Sequence, residues 1–228
     1  MAGSKRPLRI LGLADLHDRI DMLGKLKGID VDFIIFCGDL HNGGSKETAR
    51  PAALFLASLG PPVLIVPGNM DHRDVVHDLW DEAGLQMIHC SSYRWADLGF
   101  LGMGGMVARD PRRLGDPSRY YHDDSEVYET LASAYQDIID ARVKIIIVHQ
   151  PPRGVQDTLY NGESSGSIGL CRFVEEYQPD LLLCGHIHEA RGMGFIGTSR
   201  IVNVGELRMG RGAIIEIGDD IVVSWVQI

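Results

Sequence analysis

The chain has 228 residues and a mass of 25.1 kDa, with 45% hydrophobic and 23% charged residues, ordinary globular values that exclude a disordered or fibrous protein. Lys and Arg number 22 against 31 Asp and Glu, a formal charge of −9, which disfavours a dedicated nucleic-acid binder because duplex binding needs many cations to displace counterions. No apolar run reaches the roughly 18 residues of a membrane span, and Cys37, Cys90, Cys171 and Cys184 are scattered without a CxxC pair, so a reduced, cytoplasmic protein is expected.

The start, Ser4-Lys5-Arg6-Pro7 followed by a short apolar run, is interrupted at Asp15 and lacks a small-residue cleavage site. It therefore reads as a first strand rather than a leader. Residues 8–14, 31–37 and 63–67 are nearly continuous apolar runs, the pattern of strands buried on both faces. Residues 19–27 and 51–59 carry helical spacing, with Pro51 suited to a first turn and Gly60 to a stop. Residues 73–83 form a further predicted helix closed by Gly84, and 125–139 place Val127, Leu131, Tyr135 and Ile138 on one stripe. Strands at 143–148 and 180–184 flank a helix at about 170–177, and 199–228 read as all strand. Two long loops stand out: 107–121 holds Arg109, Arg112, Arg113 and Arg119, and 150–167 is rich in Gly, Ser and Pro. Loops of this length are either binding loops or solvated excursions. A single α/β domain over 1–228, returning repeatedly through parallel strands, is expected.

The polar residues that follow these strands carry the chemistry. They read Asp15-Leu16-His17, Gly38-Asp39, Gly68-Asn69-Met70-Asp71, His149-Gln150-Pro151 and Gly185-His186-Ile187-His188. In open α/β sheets ligands bind outside the carboxyl ends of the strands, so these groups converge. Alternation along an extended chain lets Asp15 and His17 share one centre. Imidazoles, carboxylates and one amide oxygen, with no thiolate, suit divalent Mn, Fe, Zn or Co. The groups are too numerous for one four-coordinate zinc and fit two ions about 3.5–4 Å apart sharing a carboxylate. Any one of these motifs arises often by chance; five in succession, each at a strand end, do not.

The series D-x-H, G-D, G-N-x-D, H-x-P and G-H-x-H resembles the calcineurin-like metallophosphoesterases from Asp15 to His188. That resemblance implies a four-layer αββα sandwich and two metal ions. It assigns Asp15, His17 and His188 to one ion, Asn69, His149 and His186 to the other, and Asp39 as the bridge. Many members carry His where this chain has Met70, and a thioether cannot donate a proton. His72 is the candidate substitute, set against a plain helix-surface histidine. Asp39 and Asn69 are the other candidate catalytic residues. His41, just after the G-D motif, either supports the site from behind a ligand or contacts substrate, set against a plain loop residue. Ser167 either receives a phosphate at a helix N-terminus or simply caps that helix.

The expected function is dinuclear metal-dependent hydrolysis of phosphodiesters or small nucleotides by a metal-held hydroxide. The expected partner is a small phosphorylated substrate, with no nucleic acid or membrane; a homo-oligomer is compatible with the sequence. The alternative is a metal-binding scaffold of the same fold, catalytically weak.

Overall fold

The computed structural model describes residues 6–42 and 44–228. Ser4 and Lys5, part of the basic start, lie outside the described residues. In chain order the strands are β1 (Leu8–Leu13), β2 (Phe33–Phe36), β3 (Val63–Ile65), β4 (Gln86–Met87), β5 (Ser91–Trp95), β6 (Leu98–Met103) and β7 (Met106–Val107). They continue as β8 (Tyr121–His122), β9 (Val143–Val148), β10 (Leu181–Cys184), β11 (Gly192–Ile196), β12 (Ser199–Asn203), β13 (Arg211–Ile217) and β14 (Ile221–Gln227). The helices are α1 (Lys46–Ala57), α2 (Arg73–Ala83), α3 (Asp124–Tyr135) and α4 (Ile168–Tyr177).

Two six-stranded sheets result, ordered β14-β13-β1-β2-β3-β4 and β11-β12-β10-β9-β6-β5. Parallel strands form each sheet's centre: β13 and β14 add an antiparallel edge beyond β1 while β4 continues the first sheet in parallel at its other edge, and antiparallel β11 and β5 close the other sheet. Every buried strand has two apolar faces because each sheet is covered twice. Along β1, Ile10 faces the other sheet with Phe33, Ile35, Phe100, Ile145 and Leu183. Its neighbour Leu11 faces the helices with Ile34, Leu56 and Trp80. On the far side, Leu101, Ile146 and Leu182 pack against Leu131 and Phe173 of α3 and α4. Helix, sheet, sheet, helix is the four-layer αββα order.

Several local expectations are corrected. The helix over 51–59 starts earlier, at Lys46, and ends at Ala57 with Ser58 as its cap, so Pro51 sits inside it and Gly60 beyond it. The Ser45 N–H donates to Thr48 Oγ1 and starts the helix ahead of the proline. Residues 20–26 form 3₁₀ turns rather than an α-helix. Gly84 does terminate α2, in the left-handed region at φ 83°, and the stripe Val127, Leu131, Tyr135 and Ile138 is buried. Strands β5, β6 and β11 lay outside the sequence reading. Gly99 and Gly102 dilute the apolar signal of β6 because a Cβ there would lie 2.6 Å from Ile138 Cβ and 2.3 Å from the Ile88 carbonyl. Cys37 and Cys184 are fully buried small core residues. Among the described residues no helix is long and apolar enough to cross a membrane.

Candidate metal centre

The five motif loops leave β1, β2 and β3 of one sheet and β9 and β10 of the other. They meet at the seam between the sheets, not at one sheet's edge. Asp15, His17, Asp39 and His186 all take left-handed backbone angles, φ 55°, 49°, 57° and 66°. Such conformations cost on the order of 1–3 kcal/mol each and gather at functional sites. They turn the chain off its strand axis so that these side chains meet.

Asp15 is the centre of the first cluster. Its Oδ1 lies 3.6 Å from His17 Nε2 and 3.3 Å from His188 Nε2, while its Oδ2 accepts the His186 N–H at 2.9 Å. Asp39 Oδ2 lies 3.8 Å from His17 Nε2 and 3.4 Å from His149 Nε2. It therefore stands between the ligands of the two expected ions. His149 Nε2 is also 3.1 Å from Asn69 Oδ1, and its ring centre is 4.9 Å from that of His186. Donor atoms of Asp15, His17 and His188, and again of Asp15, Asp39 and His149, lie within 4.8 Å of one another. Asp15 thus belongs to both groups, whereas the sequence reading gave it to one ion.

The outer ends of the imidazoles are held by oxygen. His149 Nδ1 donates to the Cys37 carbonyl at 2.7 Å, and His17 Nδ1 to Asn42 Oδ1 at 2.7 Å. His188 Nδ1 instead lies 3.2 Å from the donor Arg208 Nη2 and 3.4 Å from Glu206 Oε2. On His149 and His17, fixing the proton on Nδ1 leaves the Nε2 lone pair facing the carboxylates, the arrangement typical of metal-ligating histidines. Asp15 Oδ1 and His17 Nε2 are buried without hydrogen-bond partners. Acceptor atoms turned toward one another in a buried site fit divalent cations placed among them. Burial alone would push the Asp15 carboxyl up; the imidazoles of His17 and His188 outweigh it and hold it far below the ordinary carboxylate range. Burial, then the charge of His149, pushes His186 down to about 3, leaving it a neutral imidazole.

A second buried pair supports the loops. Asp71 Oδ2 accepts the Asp39 N–H at 2.9 Å and the Gly68 N–H at 2.7 Å, while Oδ1 lies 2.8 Å from His41 Nδ1. Both side chains are 0% exposed. Of the roles open to His41, the structure favours support from behind over substrate contact: it is the buried partner of Asp71. Burial opposes a charge on His41, and Asp71 outweighs it and raises its pKa. Gly68 is obligatory here: a Cβ would fall 2.0 Å from Asp39 Oδ1. For Ser167 the capping alternative holds over the phosphate site, since its buried hydroxyl accepts the Leu170 N–H at 2.9 Å and donates to Asp124 Oδ1 at 2.5 Å. That is a helix cap. His72 occupies the N-cap of α2 with no capping bond from its side chain, and its Nδ1 is buried without a partner. Sequence reasoning passed over Asp71, Glu206 and Asn42. Asp71 had a signal, as the fourth residue of G-N-M-D; Glu206 and Asn42 had none.

The profile of the calcineurin-like phosphoesterase family matches residues 8–190. The chain belongs to the calcineurin-like phosphoesterase family. An uncharacterized protein of Methanocaldococcus jannaschii is 24% identical over 202 residues, covering 86% of this chain and 87% of its own. The structure of the protein TT1561 of Thermus thermophilus is similar with a TM-score of 0.74 at 18% identity, over 97% of this chain and 99% of that one. A dimetal phosphatase from Danio rerio has the same fold, with a TM-score of 0.66 at 10% identity over 97% and 96%. The five motif loops lie within the matched span, and the family's two-sheet fold accounts for their meeting at one seam.

Removing the Asp71 carboxylate strands the His41 imidazole and frees three site amides, those of Asp39, Gly68 and His41. Asp71→Ala is expected to cost about 3–5 kcal/mol, lower the Tm by roughly 10 °C and weaken metal binding about 10- to 100-fold. Thermal melts and metal titration check this; a variant with wild-type metal affinity contradicts the support assigned to Asp71.

Proposed function

We propose that this chain is a dinuclear metal-dependent phosphoesterase of the cytoplasm, hydrolysing phosphodiesters or small nucleotides. Asp15, His17 and His188 hold one divalent ion, Asn69, His149 and His186 the other, and Asp39 joins them; Mn, Fe or Zn suits the donors. The observation that carries this reading is the position of Asp39 Oδ2 between His17 Nε2 and His149 Nε2, at 3.8 and 3.4 Å. When bound, the ions polarise the phosphoryl group and make water nucleophilic near neutral pH.

The chain's own residues decide what leaves. Met70 offers no proton. Its N–H donates to Asp39 Oδ1 at 2.7 Å and its carbonyl accepts from Arg119, so the loop is pinned from both sides. The substrate must then carry a good leaving group or take a proton from His72, whose unpartnered Nδ1 supports that role. Aryl diesters therefore react faster than alkyl monoesters.

The direct test mixes the purified chain with Mn²⁺ and bis(p-nitrophenyl) phosphate, with bound metal counted by elemental analysis. Turnover that disappears on chelation and returns with Mn²⁺ supports the proposal. Full metal occupancy without turnover of this or any other phosphoester favours the scaffold reading instead.

Met70→His is expected to raise alkyl-ester hydrolysis at least about tenfold while changing aryl-ester hydrolysis little, because general acid catalysis is worth about 10²–10⁴-fold only where the leaving group needs a proton. Where His72 already supplies the proton, His72→Ala instead depresses alkyl substrates selectively and Met70→His adds little. An alkyl-to-aryl rate ratio unmoved by either change contradicts protonation as the limiting step.

A further inference from the structure

The loop over 107–121 carries four arginines, and their surroundings differ. Arg112 is paired with Asp110 at 2.7 Å. Arg113 lies over the Tyr121 ring, and Arg119 donates to the Met70 carbonyl. Arg109 instead turns into a groove of about 560 Å³ between this loop and the loop at 150–167, a size typical of small-ligand sites. It donates there to the Ser165 hydroxyl. Arg153 lines the same groove from the opposite loop. Among the described residues neither Arg109 nor Arg153 forms an ion pair.

The groove is built rather than incidental. Gln150, buried at 7% exposure, directly follows the metal ligand His149. Its Oε1 accepts the Val107 N–H at 2.8 Å, and its Nε2 donates to the Ser165 carbonyl at 2.7 Å. One side chain thus ties both loops together beside the metal centre. Two carboxylates line the groove. Asp124 is spent on the start of α4, where its oxygens accept from Ser167 Oγ, the Ile168 N–H and the Gly169 N–H at 2.5, 3.0 and 2.9 Å. Glu163 is exposed and without an ion-pair partner among the described residues, so it is the opposing charge left open to the groove, beside the hydrogen-bonded carboxylate of Asp124.

We propose that this groove is a second anion subsite, in which Arg109 and Arg153 receive a phosphate carried by the substrate away from the scissile one. The proposal rests on the phosphoesterase reading and deepens it: the substrate class becomes small phosphate esters with a second phosphate. Guanidinium forks match phosphate oxygens in pairs, and partly desolvated pairs of this kind are the stronger hydrogen bonds of proteins. A groove lined by two guanidiniums, neither in an ion pair among the described residues, favours a dianionic phosphate over a neutral sugar or base.

The test uses the Mn²⁺-loaded chain and two chromogenic esters, thymidine 5′-(p-nitrophenyl phosphate) and its 3′-phosphorylated analogue. Both release the same aryl leaving group, so protonation is not at issue. The wild-type KM is expected to be about 10- to 100-fold lower for the 3′-phosphorylated ester, the range of hydrogen bonds to charged groups. Arg153→Ala, at an exposed position, and Arg109→Gln should each shrink that preference toward unity, and Glu163→Gln should widen it. Turnover of both esters with equal KM overturns the subsite and leaves the phosphoesterase reading intact. So does a preference that survives both arginine substitutions. No turnover of either ester by a chain with its metals bound overturns the reading and the subsite together.

Discussion

Two carboxylates buried at one seam set the terms for this molecule. Asp15 and Asp39 are 0% and 2% exposed, and moving an unpaired carboxylate out of water costs several kcal/mol even after relaxation. The surrounding protein answers with donors on one side of each group. Asp15 takes the His186 N–H and Asp39 takes the Met70 N–H, while His17, His188 and His149 stand at their other oxygens. What remains is a set of inward-facing oxygens and nitrogen lone pairs that cations complete. The left-handed backbone at Asp15, His17, Asp39 and His186 belongs to the same constraint, since regular strands would point these side chains apart.

The two-sheet fold is how the chain brings those groups together. A single sheet would spread five loops along one edge; folding β1–β3 and β9–β10 into facing sheets brings their carboxyl ends to a common seam. The close approach leaves no room for side chains at Gly68, where a Cβ would meet Asp39 Oδ1 at 2.0 Å, or at Gly185, where it would meet Asp15 Oδ2 at 2.5 Å. Asp71 and His41 then fix the Asp39 loop from beneath, with both side chains removed from solvent. Packing, backbone strain and ligand placement are thus one problem with one solution.

Much of this was legible in the sequence because each ligand follows an apolar run. A strand buried on both faces reads as continuous hydrophobicity, and a polar residue just after it has few roles other than a site. The helices with clean stripes were equally readable, as at Val127, Leu131 and Tyr135. What escaped has physical causes. Strand β6 hides behind Gly99 and Gly102, whose missing side chains serve contacts with Ile138 and Ile88 that lie far off in sequence. The division of strands between two sheets depends on long-range pairing that no local pattern records; the resemblance to a family supplied it. His41 and Ser167 looked like site residues because they adjoin motifs, yet burial gives one to Asp71 and the other to a helix cap. The sorting of the four loop arginines is invisible without the fold, because it depends on what each guanidinium meets across the two loops.

The central claim is that Asp39 joins two ions into one site. Electron paramagnetic resonance of the chain titrated with Mn²⁺ tests it most directly. The account predicts that, at two Mn²⁺ per chain, the spectrum becomes that of an exchange-coupled pair, as a shared carboxylate requires. Two equivalents bound with only the spectrum of isolated, uncoupled Mn²⁺ would contradict it.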